Sequence, residues 1–141
     1  MIQGSSFDSL GRVYVPAQVE IYGTMSSSPI SFLVDTGATD IVISFDDGKK
    51  LQINYRAIGA AHPLSTLGGT MKAYRLSGLI TFLHDGSGCV YQKDIYVAEP
   101  TSSNVGQPSL LGQEILRHWS VSVCFRSSRI ELEPQGWDYT V

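Results

Sequence analysis

Phe32-Leu33-Val34-Asp35-Thr36-Gly37-Ala38-Thr39-Asp40-Ile41-Val42-Ile43 is the stretch on which the reading of this chain turns. Three apolar residues deliver a carboxylate to a small-residue turn, and a second apolar run leaves it. Burying an unpaired charge costs several kcal/mol or forces the group to take up a proton. Two readings are open for Asp35. It caps its own turn through an Asx hydrogen bond, with Gly37 relieving the backbone, or it is aimed at a second group.

The sequence on either side reads as strand. From Arg12 to Tyr22, Val13, Val15, Ala17, Val19 and Ile21 share one face at the two-residue period of a half-buried strand. Gly23 to Pro29 is a turn, and Ile30, Phe32 and Val34 resume the alternation, so Asp35 ends the second arm of a hairpin. Ile41 to Ile43 is a further short strand. Ser44 to Leu51 predicts one or two helical turns. Ser44 is the cap, Asp47 stands three residues on, and Lys49 and Lys50 fall where the dipole favours cations. The charges there read as a solvated face.

Further on, Ser65-Thr66-Leu67-Gly68-Gly69-Thr70 suits a hairpin tip, since glycine takes positive φ without a Cβ penalty. It leads into an extended segment, Met71 to Leu83. His84 to Gly88 is a turn without evident chemistry, Cys89 to Ala98 a strand, and Glu99 to Ser109 a loop. Leu110 to Trp119 predicts the one convincing helix, with Leu111, Ile115, Leu116 and Trp119 on its apolar face. Ser120 to Phe125 and Ile130 to Glu133 form a closing hairpin. About seven short strands with one late helix define an all-β sandwich or barrel.

The totals narrow the function. The 141 residues make one domain, 1–141, of ordinary size, with 43% apolar and 16% charged residues. A net charge of −3 argues against a nucleic-acid partner. No apolar run reaches membrane-spanning length, and Met1 to Ser6 lacks the layout of a signal peptide, so a cytoplasmic protein is expected. Cys89 and Cys124 read as small buried apolar groups before they read as a bridge. Neither these nor the scattered His62, His84 and His118 have metal-ligand spacing, and no metal or other cofactor is expected.

Asp35-Thr36-Gly37-Ala38 after an apolar strand, a Gly-Gly hairpin downstream and Leu110-Leu111-Gly112 opening a late helix together resemble the retroviral-type (retropepsin-like) aspartic peptidases. The likeness runs from about Val13 to Glu133, and Ala38 is similar to the retroviral rather than the pepsin-like branch. It implies a closed β-barrel with one short C-terminal helix and a flap hairpin over a polypeptide substrate. It also implies that Asp35 is the catalytic carboxylate, that Thr36 bonds across a subunit boundary, and that Gly37 lets backbone approach substrate. Ala38, Asp40, Val42, Leu67, Gly68, Gly69 and Leu111 would touch substrate, with Ile41 beside them. Two positions depart from the viral pattern: Gln113 stands where an Arg usually follows the glycine, and Thr39 where an acid is common. Dimer bracing must therefore differ, and an interface built from Met1–Gly11 and Gln135–Val141 cannot be assumed.

Hydrolysis by carboxylates needs two of them sharing a proton, one as general base and the other as acid. Like charges about 3 Å apart cannot both ionise, so the pair holds one proton, which favours acidic pH. The chain has one Asp-Thr-Gly, so the second acid would come from a second copy on a two-fold axis. The expected activity is that of a homodimeric aspartic endopeptidase. The alternative is a noncatalytic dimeric module of the same fold that binds peptides by strand addition or serves as a scaffold.

Overall fold

The computed structural model describes residues 1–24, 26–55, 61–66, 69–99 and 106–141. In chain order the strands are β1 (Ser6–Phe7), β2 (Val13–Ile21), β3 (Ser27–Val34), β4 (Ile41–Ile43), β5 (His62–Thr66), β6 (Gly69–His84), β7 (Ser87–Ala98), β8 (Ser109–Leu111), β9 (Trp119–Cys124), β10 (Arg129–Pro134) and β11 (Tyr139–Thr140). Helix α1 (Phe45–Lys50) follows β4, and α2 (Gln113–Leu116) follows β8.

Six strands close on themselves. β2 pairs antiparallel with β3, β3 parallel with β8, and β8 antiparallel with β4. β4 runs parallel to β7, β7 antiparallel to β6, and β6 returns to β2 through Gln18↔Thr81 to Ile21↔Gly78. This is the closed all-β barrel that the sequence predicts. Alternation drives it: all five apolar residues of β2 named above point inward and are buried, as are Ile30 and Phe32 of β3 and Ile80 and Phe82 of β6. Closure removes the free edges that an open sheet would expose.

Three features differ from the sequence expectation. The late helix is only four residues long, because Leu110 and Leu111 pair with Leu33 and Val34 as strand and Trp119 already belongs to β9. The apolar set was nonetheless right, since Leu111, Ile115, Leu116 and Trp119 are all buried. The solvated reading of the α1 charges fails for Asp47, whose side chain is only 17% exposed. Its carboxylate accepts from Ser109 Oγ at 2.6 Å and pairs with Lys50 Nζ at 2.9 Å. Ser44 does cap α1, its hydroxyl accepting from the Asp47 N–H, while its own N–H donates to the buried Ser109 hydroxyl. Finally, Cys89 is buried but Cys124 is exposed, and both are free thiols.

The first and last segments fold onto their own chain. Ile2 bridges to His84, β1 pairs with β2, and β11 pairs with β7. β9 and β10 form a separate two-stranded sheet, closed at its base by Trp119. The Trp119 indole N–H donates to the Tyr91 hydroxyl at 2.9 Å, which donates to the Gly136 carbonyl at 2.6 Å. Burial, against the hydrogen bond from Trp119, pushes the Tyr91 phenol up to about 12, so the relay stays neutral.

Candidate active site

β3 and β4 are consecutive in sequence but not adjacent in the barrel, because β8 lies between them. The chain from Asp35 to Asp40 therefore crosses the end of β8, where α2 begins. This crossing fixes the turn. The Asp35 N–H donates to the Leu111 carbonyl at 3.0 Å, and one Asp35 carboxylate oxygen accepts from the Gly37 N–H at 2.9 Å. The Ala38 N–H closes the turn on the Asp35 carbonyl.

The first turn of α2 grips the crossing from the other side. Its otherwise unpaired N–H groups find partners there: Gln113 N–H donates to the Ala38 carbonyl and Glu114 N–H to the Thr39 carbonyl, each at 2.9 Å. Gly112 is required by the close approach. A Cβ there would lie 2.5 Å from the Asp40 carbonyl oxygen and 2.6 Å from that of Ala38. The Gln113 side chain adds a bond that the sequence reading missed, its amide donating to the Thr36 carbonyl at 2.8 Å. The signal was present, since Gln113 was singled out as a departure, but a sequence shows what is missing more readily than what replaces it.

Asp35 is half-buried, while Thr36 and Gly37 are exposed at the rim. Ala38 and Asp40 are partly exposed beside them. Val42 and Leu111, expected as substrate contacts, are buried in the single chain. They are 7% and 0% exposed, as is Ile41 at 0%, so these side chains form the floor under the turn. Their backbones pair across β4 and β8, which leaves the side chains committed to the core. Leu67 and Gly68 lie outside the described residues. Gly69 pairs with Thr66 as the last rung of the β5–β6 hairpin, which extends to His62↔Ala73.

Beside Asp40 opens a polar cavity of about 530 Å³, lined among others by Tyr22, Ser77, Lys93, Tyr96 and Glu114 but not by Asp35. Glu114 pairs with Arg117 at 3.2 Å and Lys93 at 3.7 Å. Partial burial, and then the charge of Glu114, hold the Asp40 carboxyl above its ordinary value. Among the described residues no group of three or more His, Cys, Asp or Glu side chains could hold a metal ion.

Residues 21–118 match the family described as "gag-polyprotein putative aspartyl protease". The chain belongs to this retropepsin-like aspartic protease family. Among solved structures it is similar to a retropepsin-like aspartic protease from Rickettsia conorii, with 20% identity and a TM-score of 0.64 over 92% of this chain and 88% of that one. It also aligns with EIAV protease complexed with the inhibitor HBY-793, at 18% identity and a TM-score of 0.49 over 79% of this chain and 91% of that one. No curated protein matches in sequence.

Proposed function

We propose that residues 1–141 form one peptidase domain, active as a homodimer in which each copy supplies Asp35 to a proton-sharing pair that hydrolyses peptide bonds. The observation that carries this reading is the turn itself. A carboxylate at the end of a core strand is held by backbone bonds on both sides, and its exposed neighbours Thr36 and Gly37 leave that rim open to a second copy.

One Asp35 would activate water while the other donates a proton to the substrate carbonyl. Such a pair titrates as a unit, and its rate falls as the shared proton is lost toward alkaline pH. Thr36 would bond across the subunit boundary, Gly37, Ala38 and Asp40 would lie along the substrate, and the β5–β6 hairpin would act as flap. A cytoplasmic setting is supported by the two free cysteines. Among the described residues no helix is long and apolar enough to cross a membrane.

The test combines sedimentation with digestion of casein or a peptide library at pH 4–7, with and without Asp35→Asn. The expected result is a dimer in both proteins and cleavage only in the unsubstituted one, blocked by a statyl inhibitor. Undiminished cleavage by a clean Asp35→Asn preparation would overturn the assignment. A dimer that binds but never cleaves peptides would favour the noncatalytic module.

A further inference from the structure

We infer that Asp47 is a positioning residue for the Asp35 turn, acting through the buried Ser109 hydroxyl and strand β8. Its effect on hydrolysis rests on the peptidase reading above, whereas its effect on the turn does not.

Strand β8 has little backbone to hold it along its own axis. It pairs with β3 over three residues, Phe32↔Ser109 to Val34↔Leu111, and with β4 over two, Ile41↔Leu111 and Val42↔Leu110. Its far end tolerates little play. The Leu111 carbonyl accepts the Asp35 N–H at 3.0 Å, and Gly112 lies so close under the crossing that a Cβ there would stand 2.5 Å from the Asp40 carbonyl oxygen.

The near end of β8 is held by side chains. Just past the last backbone rung of β4, the Ser44 N–H donates to the Ser109 hydroxyl at 2.9 Å. That hydroxyl donates in turn to one Asp47 carboxylate oxygen at 2.6 Å, and the Asp47 N–H returns to the Ser44 hydroxyl at 3.2 Å. The ring closes over three residues. Ser109 is fully buried and the Asp47 side chain only 17% exposed, so water competes poorly for these bonds. A hydrogen bond to a charged acceptor is about twice as strong as a neutral one. Lys50 Nζ stands 2.9 Å from the other carboxylate oxygen. A second acid of the same helix grips the segment entering β8, Asp46 accepting from the Gly106 N–H at 3.2 Å.

Asp47 and Asp35 therefore bear on opposite ends of one three-residue strand. Removing the Asp47 carboxylate frees the Ser109 hydroxyl to rotate and leaves the Ser44 N–H with an acceptor that nothing orients. β8 can then shift beneath the turn that Leu111 and Gly112 support. A misplacement of about 1 Å, made far from the chemistry, can cost about 10²-fold in rate. Among the described residues the Asp47 carboxylate bonds only to Ser109 and Lys50, so its influence on Asp35 is transmitted rather than direct.

The experiment compares the full chain with Asp47→Ala, Asp47→Asn and, as a control on the same helix but outside the ring, Lys49→Ala. Residue-resolved amide hydrogen exchange is measured beside kcat and KM on one peptide. In Asp47→Ala the amides of Asp35, Gln113 and Glu114, which bond across the crossing, should exchange about tenfold faster. Those of Val19 and Ile80, paired across β2 and β6, should stay within about twofold. The same variant should lose about 10- to 100-fold in kcat with KM within about threefold. Asp47→Asn keeps an oxygen that accepts from Ser109 and should recover most of both losses, while Lys49→Ala should cause neither. Should Asp47→Ala melt below the assay temperature, Asp47→Glu, whose carboxylate stands a methylene further out, carries the same test. Faster exchange spread evenly over the barrel, or turn amides that do not respond, would overturn the role given to Asp47. So would an unchanged kcat in a chain that cleaves, leaving the peptidase reading intact. Faster exchange confined to the turn, in a chain that cleaves no peptide, would keep Asp47 as the brace of the turn and remove the peptidase reading.

Discussion

Two aspartates in this molecule directly follow a strand with a glycine one or two residues further on, and the turns they make differ in almost every other respect. Asp85 and Gly86 link β6 to β7 as a two-residue loop between His84 and Ser87, with φ of 48° and 80°. That is the doubly left-handed turn that matches the twist of a hairpin. The Asp85 side chain is 77% exposed, and its contacts are the chain's first amino group at 3.7 Å and the His84 ring at 3.3 Å. The Asp35 turn instead lies across the end of a buried strand. Its backbone accepts or donates bonds to Leu111, Gln113 and Glu114, and its carboxylate is held by Gly37. The same pairing of acid and glycine is a solvent-facing connector in one place and a positioned carboxylate in the other. The difference lies in what stands behind the turn.

Substitution at the two acids should break this comparison most sharply. Asp35→Asn should lower peptide turnover by about 10²–10⁴-fold, the usual worth of a general acid or base. Asp85→Asn should leave turnover within a factor of two. Progress curves on one fluorogenic peptide would measure both, and equal losses would mean that the braced turn has no special role.

The glycines come next. Gly112→Ala sets a Cβ against two backbone carbonyls that cannot move independently of the Asp35 turn. It should cost about 1–3 kcal/mol, as overpacking does, and carry activity down with it. Gly86→Ala meets nothing within 4 Å and costs only its left-handed backbone, about 1 kcal/mol. Thermal melts would rank them, and activity at a temperature where both are folded should fall only for Gly112→Ala. Smaller again is Gln113→Ala, which removes the side-chain bond to the Thr36 carbonyl at an exposed site and should cost about 0.5–1.5 kcal/mol. Because it loosens the turn rather than a substrate contact, kcat should fall with KM little changed.

The comparison also shows which parts of the structure the sequence disclosed. The strands were legible wherever one face is buried and the other wet, as in β2, because a two-residue alternation has no other cheap explanation. The Ser44 cap was legible because its bond is local. The α2 region misled, since Leu110 and Leu111 lead an apolar run in which Leu111 stands four residues before Ile115, a helical spacing. They become strand only because β3 and β4 leave a gap of one strand between them, a demand made by residues some 70 positions away. The same non-local pairing buries Val42 and Leu111, which the sequence reading assigned to substrate contact. Motif position sets them beside the Asp35 turn, and only the barrel shows how fully their side chains are buried. Ser109 joining Ser44 to Asp47 is a third case, a buried hydroxyl whose partners lie 62 and 65 residues distant.

Asp40 offers the finest test, because it is an acid of the braced crossing that spends nothing on capping the Asp35 turn. Burial first, and the charge of Glu114 second, raise its carboxyl above the ordinary value of 3.8. The folded chain therefore keeps this proton to higher pH than the unfolded chain does. The resulting stabilisation is present in full below the ordinary value and is lost as pH rises through the folded value. At neutral pH the charged carboxylate is a small net burden on the fold. Asp40→Asn should then raise the denaturation midpoint slightly at pH 7, and the gain should fade to nothing as the solution is taken below about pH 3.8, where both side chains are neutral. Urea titrations of the two proteins across that range would decide it. A gain that grows in acid would mean that the crossing holds Asp40 as an anion, and that α2 braces charge there as well as backbone.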